Sequence, residues 1–289
     1  MPQHTWDKFW FTPSQPKPLG FFRVGWSLLT IAYLCSWFSD IGYWLSSQGI
    51  LAPDRLAELL QSAADEQPTY LRISPLFWLQ SEAALLAFLW LGILFSVVAS
   101  LGIGGRYASL VVWLFLLSII HRAPMLTGLC EPLLTMGWGY MVIHPGKTKS
   151  IGRIGLYDRE NSIAANIALR LLQLHLFAWV VLSLASRCGG LVWWQGEAVW
   201  WLASEARSPA LSLNWLGRNP YALNALTHGL VTAELLAIFM LWPISFRRLG
   251  VIALWIAAAL LTLISDQLLY PIAVAILALT FWPNAAEQK

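Results

Sequence analysis

Long, uninterrupted apolar runs separated by short polar stretches narrow the folds open to this chain more than any other feature. Several runs are about 18–25 residues long with few or no charges, which is the length of a helix crossing hydrocarbon. Inside hydrocarbon every backbone N–H and C=O has to be bonded within the protein, which leaves only helices and closed barrels. Barrel strands would alternate apolar and polar residues over about ten positions, whereas these runs are continuously apolar. The 289 residues are 58% hydrophobic and 11% charged, against about a quarter charged in a soluble domain. A water-soluble fold would have nowhere to put that apolar surface. The reading is an all-α polytopic transmembrane helix bundle, a single integral membrane domain over 1–289.

The runs fall at 20–39, 77–102, 107–121, 130–144, 163–187, 222–246, 249–265 and 268–283, which predicts about eight spans. The first is long enough to serve as its own insertion signal, so no cleaved leader is expected. Three stretches read as helices lying in the interface. His4 to Phe11 carries Trp6, Phe9 and Trp10 within a 1–19 interfacial segment; Pro53–Gln67 sits in an outer loop at 40–76; Trp193–Glu205 sits in another at 188–221. Many of the 18 tryptophans, among them Trp37, Trp44, Trp194, Trp200, Trp201 and Trp282, stand at run edges, where amphipathic rings favour the headgroup layer.

Lys and Arg in alternate loops set orientation. With the N-terminus inside, inner segments hold Lys8, Lys17, Arg106, Lys147, Lys149, Arg153, Arg159, Arg247, Arg248 and Lys289. Outer ones hold Arg55, Arg72, Arg122, Arg187, Arg207 and Arg218, diluted by Asp40, Asp54, Glu58, Asp65 and Glu66. Both termini are therefore expected in the cytoplasm, with the chain in a bacterial inner membrane. The net charge of +3 is spread along the chain, which excludes a nucleic-acid surface. Cys35, Cys130 and Cys188 lack metal-type spacing, and no CxxC, HxxxH or HxxE pattern occurs, so no metal site is expected.

An ionisable side chain in hydrocarbon costs a few kcal/mol, so each one needs a partner or a wet cavity. Arg23, and Arg170 with Gln173 three residues on, read as buried structural groups. His175 and Glu234 fall at mid-depth. Glu82, Glu131, His228 and Asp266 lie toward the outside, with His121 and Arg122 at the mouth of the third span. Asn224, Thr227, His228, Val231 and Glu234 fall at helical offsets of about three, four and seven, on one stripe facing protein or water. Two readings stand side by side. These groups hydrogen-bond across helices and fix packing, or they line a polar cavity where Glu234, His228 and Glu131 converge.

The ordered set of motifs resembles the horizontally transferred transmembrane (HTTM) domain family. TPSQPKPLGFFRVGWSLL (Thr12–Leu29) resembles its opening, where a proline-containing linker leads into a first helix with a Phe-Arg pair. HRAPMLTG (His121–Gly128) resembles the segment after its third helix, and ALRLLQLHLFAWVVLSLA (Ala168–Ala185) its Leu-Arg-Leu-Leu-Gln helix. Trp193 and Gly196 look like its Trp-x-x-Gly element, and Glu234 in AELLAIFMLWP like its Glu before a Pro-ended helix. The family is related to the membrane domain of vitamin K-dependent γ-glutamyl carboxylases, so the resemblance implies a reduced quinone as a possible ligand. In those enzymes a lysine shortly after the fifth-helix motif is the base; the corresponding stretch here, SRCGGLVWW, has Arg187 and Cys188, and no lysine occurs between Arg153 and Glu287. Arginine stays protonated and cannot take over that role.

Three functions follow as expectations. The first is a membrane protein binding a lipidic or quinone-like ligand in an outward-facing polar cavity. The second is a membrane enzyme using Glu234, His228 or His175 as acid or base, and the third is a small-solute transporter. Glutamate carboxylation is expected to be absent, and membrane lipid is the expected partner. The charge asymmetry gives a test of orientation: a cysteine placed at Lys149 should be shielded from an impermeant thiol reagent in intact cells while one at Asp65 reacts, and the opposite pattern would reverse the topology.

Overall fold

Backbone satisfaction decides the secondary structure first: among the described residues the chain is helical, and its one β-type contact is an isolated bridge between Ser14 and Ser162. The computed structural model describes residues 5–14, 17–64, 74–144, 161–205, 215–265 and 267–282. Asp266 and the loop charges Asp65, Glu66, Arg72, Lys147, Lys149, Arg153, Arg159 and Arg207 therefore lie outside the described residues.

In chain order the helices are α1 Thr5–Phe11, α2 Lys17–Ser36, α3 Ile41–Leu45, α4 Pro53–Ala64, α5 Glu82–Ser100, α6 Gly105–Arg122 and α7 Cys130–Ile143. They continue with α8 Ile163–Cys188, α9 Leu191–Trp194, α10 Ala198–Glu205, α11 Pro220–Met240, α12 Arg247–Ile264 and α13 Leu269–Ala278, prolonged by a 3-10 turn to Phe281. Each of the eight apolar runs contains a helix. Five of them, α2, α5, α8, α11 and α12, are long and apolar enough to cross a membrane. The 14 residues of α7 and the 10 of α13 fall short of the roughly 20 that a span needs. The predicted surface helix over Pro53–Gln67 is α4, and the predicted helix over Trp193–Glu205 divides into α9 and α10 at Gly196, whose φ of +77° suits a residue without Cβ.

The chain forms two compact units, one from residues 13–165 and one from 1–12 with 166–289. In the 13–165 unit α2 packs on α5 and α7, while α6 packs between α5 and α7. Two tryptophans form its centre, both fully buried. Trp26 donates to Leu134 O at 3.1 Å, Trp138 donates to the Thr30 hydroxyl at 2.9 Å, and that hydroxyl donates to Trp26 O at 2.8 Å. Each indole N–H thus has an acceptor without water, which makes so large a ring affordable in a dry core.

The other unit packs α11 on α12 and α12 on α13, with α10 against both α11 and α12. Its N-terminal α1 is held at its C-terminal end: the Asn166 side-chain amide donates to Phe9 O at 2.8 Å and Trp10 O at 2.9 Å, carbonyls that a helix leaves unsatisfied. The Arg170 guanidinium lies over the Phe9 ring, 4.7 Å from its centroid. Trp6 and Phe11 remain exposed, an aromatic face suited to a headgroup layer.

Two glycines give opposite expectations. A Cβ on Gly137 would collide with the buried Trp26 indole, whereas one on Gly229 would meet nothing within 4 Å. Gly137→Ala should destabilise the folded protein by about 1–3 kcal/mol through overpacking. Gly229→Ala should leave stability unchanged or raise it by up to about 1 kcal/mol through helix propensity. Thermal unfolding of both variants in the same detergent checks the contrast.

Candidate functional site

The unit of residues 1–12 and 166–289 contains a buried ion pair. Arg187 Nη1 lies 2.5 Å from Glu234 Oε1, with 11% and 8% of the two side chains exposed. Arg187 stands in the last turn of α8. Trp179, Ser183 and Arg187 are spaced four residues apart, so all three lie on one face of that helix. Glu234 belongs to the buried face of α11 with Leu223, Thr227, Leu230 and Ala237. The guanidinium also lies over the Trp193 ring of α9, 4.7 Å from the centroid. The cation therefore has both a carboxylate and an aromatic face, two partners that suit a planar guanidinium.

A small pocket opens beside the carboxylate. Trp179, Val180 and Ser183 of α8, Leu254, Ala257, Ala258 and Leu261 of α12, Tyr270, Pro271 and Val274 of α13, and Glu234 itself line it. The Tyr270 hydroxyl accepts the Trp179 indole N–H at 3.0 Å. Glu234 Oε2 is buried and has no hydrogen-bond partner among the described residues. The pocket, about 20 Å³, admits water but is far smaller than the roughly 300–1,000 Å³ of pockets that take drug-sized ligands.

The other residues on the α11 stripe divide by role. Thr227 is fully buried; its hydroxyl donates to Gly196 O at 2.9 Å and accepts from Val199 N at 3.3 Å, tying the turn between α9 and α10 to α11. Asn224 is half-buried and donates to Pro220 O, with its Oδ1 against Gly196. His228 lies on the exposed face of α11 and is not beside Glu234 in the pocket lining. The exposed and buried faces follow the helix's own rotation: Thr227 and Glu234 sit seven residues apart, while His228 is turned about 100° from Thr227.

On α8, His175 is half-buried, with its ring 6.2 Å from that of Trp179. It does not line the pocket. Arg170 Nη1 donates to Gln173 Oε1 at 2.9 Å, and Gln173 Nε2 donates to Thr280 O at 2.7 Å, a relay that joins α8 to the end of α13.

The remaining predicted residues belong to the 13–165 unit. Arg122 is fully buried and donates through Nη2 to Leu45 O at 3.2 Å and to Leu51 O, with its guanidinium over Phe77. It holds the segment after α3, and its Nε and Nη1 have no hydrogen-bond partner among the described residues. Glu131 Oε2 accepts from Gly128 N at 2.9 Å, which ties the segment leading into α7 to its first turn. His121 is half-buried in the last turn of α6, Glu82 is exposed in the first turn of α5, and Arg23 is half-buried in α2. Among the described residues no three His, Cys, Asp or Glu side chains gather as a metal would require.

The sequence marks Glu234 as a group that needs a partner, but Arg187 reads there as an outer-loop charge, and Ser183, Trp179 and Tyr270 do not read as its neighbours. The four-residue spacing of Trp179, Ser183 and Arg187 is visible in the sequence; the approach of Tyr270 from 36 or more positions beyond Glu234 is a tertiary fact.

No protein-family model, curated protein or solved structure matches the chain.

Removing one member of a buried pair strands the other charge, at about 3–5 kcal/mol, whereas replacing both by apolar residues of similar volume is often close to neutral. Glu234→Ala should therefore be strongly destabilising, Arg187→Met with Glu234→Leu much less so, and the exposed Arg55→Ala nearly silent. Arg170→Ala, which removes the donor to Gln173, should fall between. Unfolding of the four variants in bicelles measures the order; a Glu234→Ala variant as stable as Arg55→Ala would remove the pair's energetic role.

Proposed function

We propose that this chain is an integral membrane protein of the horizontally transferred transmembrane type that holds a lipidic or quinone-like ligand by its polar head at the Arg187–Glu234 centre. The observation that carries this reading is the carboxylate's division of labour: Oε1 is neutralised by Arg187, while Oε2 has no partner among the described residues and Glu234 lines a pocket with Ser183 and Tyr270. An unsatisfied acceptor inside a low-dielectric unit is costly, and a hydrogen-bond donor on a ligand head would remove that cost.

The residues that carry the resemblance support the same reading. Trp193 and Glu234, 41 positions apart in the sequence, both contact Arg187, which comes from the stretch where the resemblance would place a lysine. Gly196, from the same Trp-x-x-Gly element, gives its carbonyl to Thr227, two turns before Glu234 on α11. The pocket in its present closed form is far too small for a quinone ring, so admission of the ligand requires α12 and α13 to separate from α8.

Arginine also limits the chemistry. A base that removes a proton next to a glutamate carboxylate has to be neutral beforehand, and Arg187 remains a cation. The acid–base reading loses support at two further positions, because His228 is exposed and His175 does not line the pocket.

Gentle extraction followed by mass spectrometry tests the ligand: a lipid or quinone-like species should copurify with the wild-type chain and be depleted at least severalfold in Glu234→Gln, and equal recovery from both would overturn the assignment. Incubation with reduced vitamin K, labelled carbon dioxide and a glutamate-rich peptide should give no incorporation above a heat-killed control.

A further inference from the structure

We propose that the cavity beside Glu234 is a hydration site, in which one exchangeable water bridges Glu234 Oε2 to the hydroxyls of Ser183 and Tyr270. Size comes first: the cavity, about 20 Å³, has room for water and for nothing much larger. Polarity comes next. The Glu234 side chain is more than nine-tenths buried, its Oε2 has no partner, and it borders the cavity. Ser183 and Tyr270 contribute the other polar atoms of the lining, whose remaining walls are Val180, Leu254, Leu261 and their apolar neighbours.

A buried water needs two to four polar partners, and these three groups supply them. The chemistry also selects water over an ion. A cation at Oε2 would face the Arg187 guanidinium, 2.5 Å from the other oxygen of the same carboxylate. An anion would face the carboxylate itself. Water is neutral, donates to Oε2, and accepts from a hydroxyl. The Tyr270 oxygen already accepts the Trp179 indole N–H, which leaves its own O–H to donate toward the water.

This site goes beyond the ligand reading and stands without it: the water occupies the pocket when no ligand is bound, a ligand head would displace it, and a chain that bound no lipid would still hold it. It also gives Glu234 a link to α8 and α13 that passes through neither Arg187 nor α12.

Filling the cavity separates a wet site from a dry one by the sign of the effect. Val180→Ile adds one methylene to the wall. In the wild-type background it should displace the water, strand Oε2 and lower the unfolding temperature. In the Arg187→Met/Glu234→Leu background there is no carboxylate to solvate, and the same change should leave that temperature unchanged or raise it. Lowering in both backgrounds would mean simple overpacking, and no lowering in the wild type would mean a dry cavity; either result overturns the proposal. If the double variant does not fold, a density map of the wild-type chain sharp enough to resolve ordered waters decides instead. A peak within hydrogen-bond distance of Glu234 Oε2 and the Ser183 and Tyr270 oxygens is expected, and its absence overturns the site. Neither measurement depends on copurified lipid, so failure of the ligand reading and failure of the hydration site are told apart.

Discussion

A polar group placed among apolar helices has to find its partner inside the protein, and that requirement organises this molecule more than any apolar contact does. Hydrocarbon gives apolar helices little reason to prefer each other over lipid. Specificity comes from groups that cannot be left alone. In the 13–165 unit the indoles of Trp26 and Trp138 close onto Leu134 O and the Thr30 hydroxyl, and Arg122 spends one nitrogen on two carbonyls. In the other unit Asn166 holds α1, Gln173 joins α8 to the end of α13, and Thr227 holds the turn before α10. Serine and threonine hydroxyls at Thr30, Ser96, Ser118, Thr135 and Thr262 return to the carbonyl four residues earlier in their own helices, so they need no partner elsewhere.

The helices were legible because their signal is one-dimensional. A run of apolar residues bounded by Pro, Gly or charge, such as Glu82–Ser100 or Arg247–Ile264, states its length and its limits in the sequence. Span number was less legible. Fourteen residues in α7 and ten in α13 form helices without reaching the length of a crossing, and periodicity alone does not distinguish a short buried helix from a tilted one. Trp26 and Trp138 stand inside their runs and not at the edges, and they lie in the core with an acceptor for each indole.

The site was half legible for a related reason. A carboxylate in the middle of an apolar helix announces that it needs compensation, which is why Glu234 stood out. The identity of the compensating group did not follow, since Arg187 lies at the end of a different helix and reads as one more positive charge near a loop. The stripe containing Asn224, Thr227, His228 and Glu234 was drawn too wide. An α-helix turns about 100° per residue, so neighbours in the sequence such as Thr227 and His228 face different surroundings, and only the tertiary packing selects between them.

The choice of arginine over lysine opposite Glu234 has consequences for both proposals. Lysine offers a compact ammonium that burial can bring to its neutral form, which frees it for proton transfer. Arginine is delocalised, stays charged and offers a flat face, so it can lie on Trp193 while one nitrogen engages the carboxylate. Its contact with Glu234 runs from Nη1 to Oε1, and Oε2 has no donor among the described residues. In the pocket as it stands the remaining space and charge suit a neutral donor of the size of water, and a ligand head would have to displace that water to reach the same oxygen.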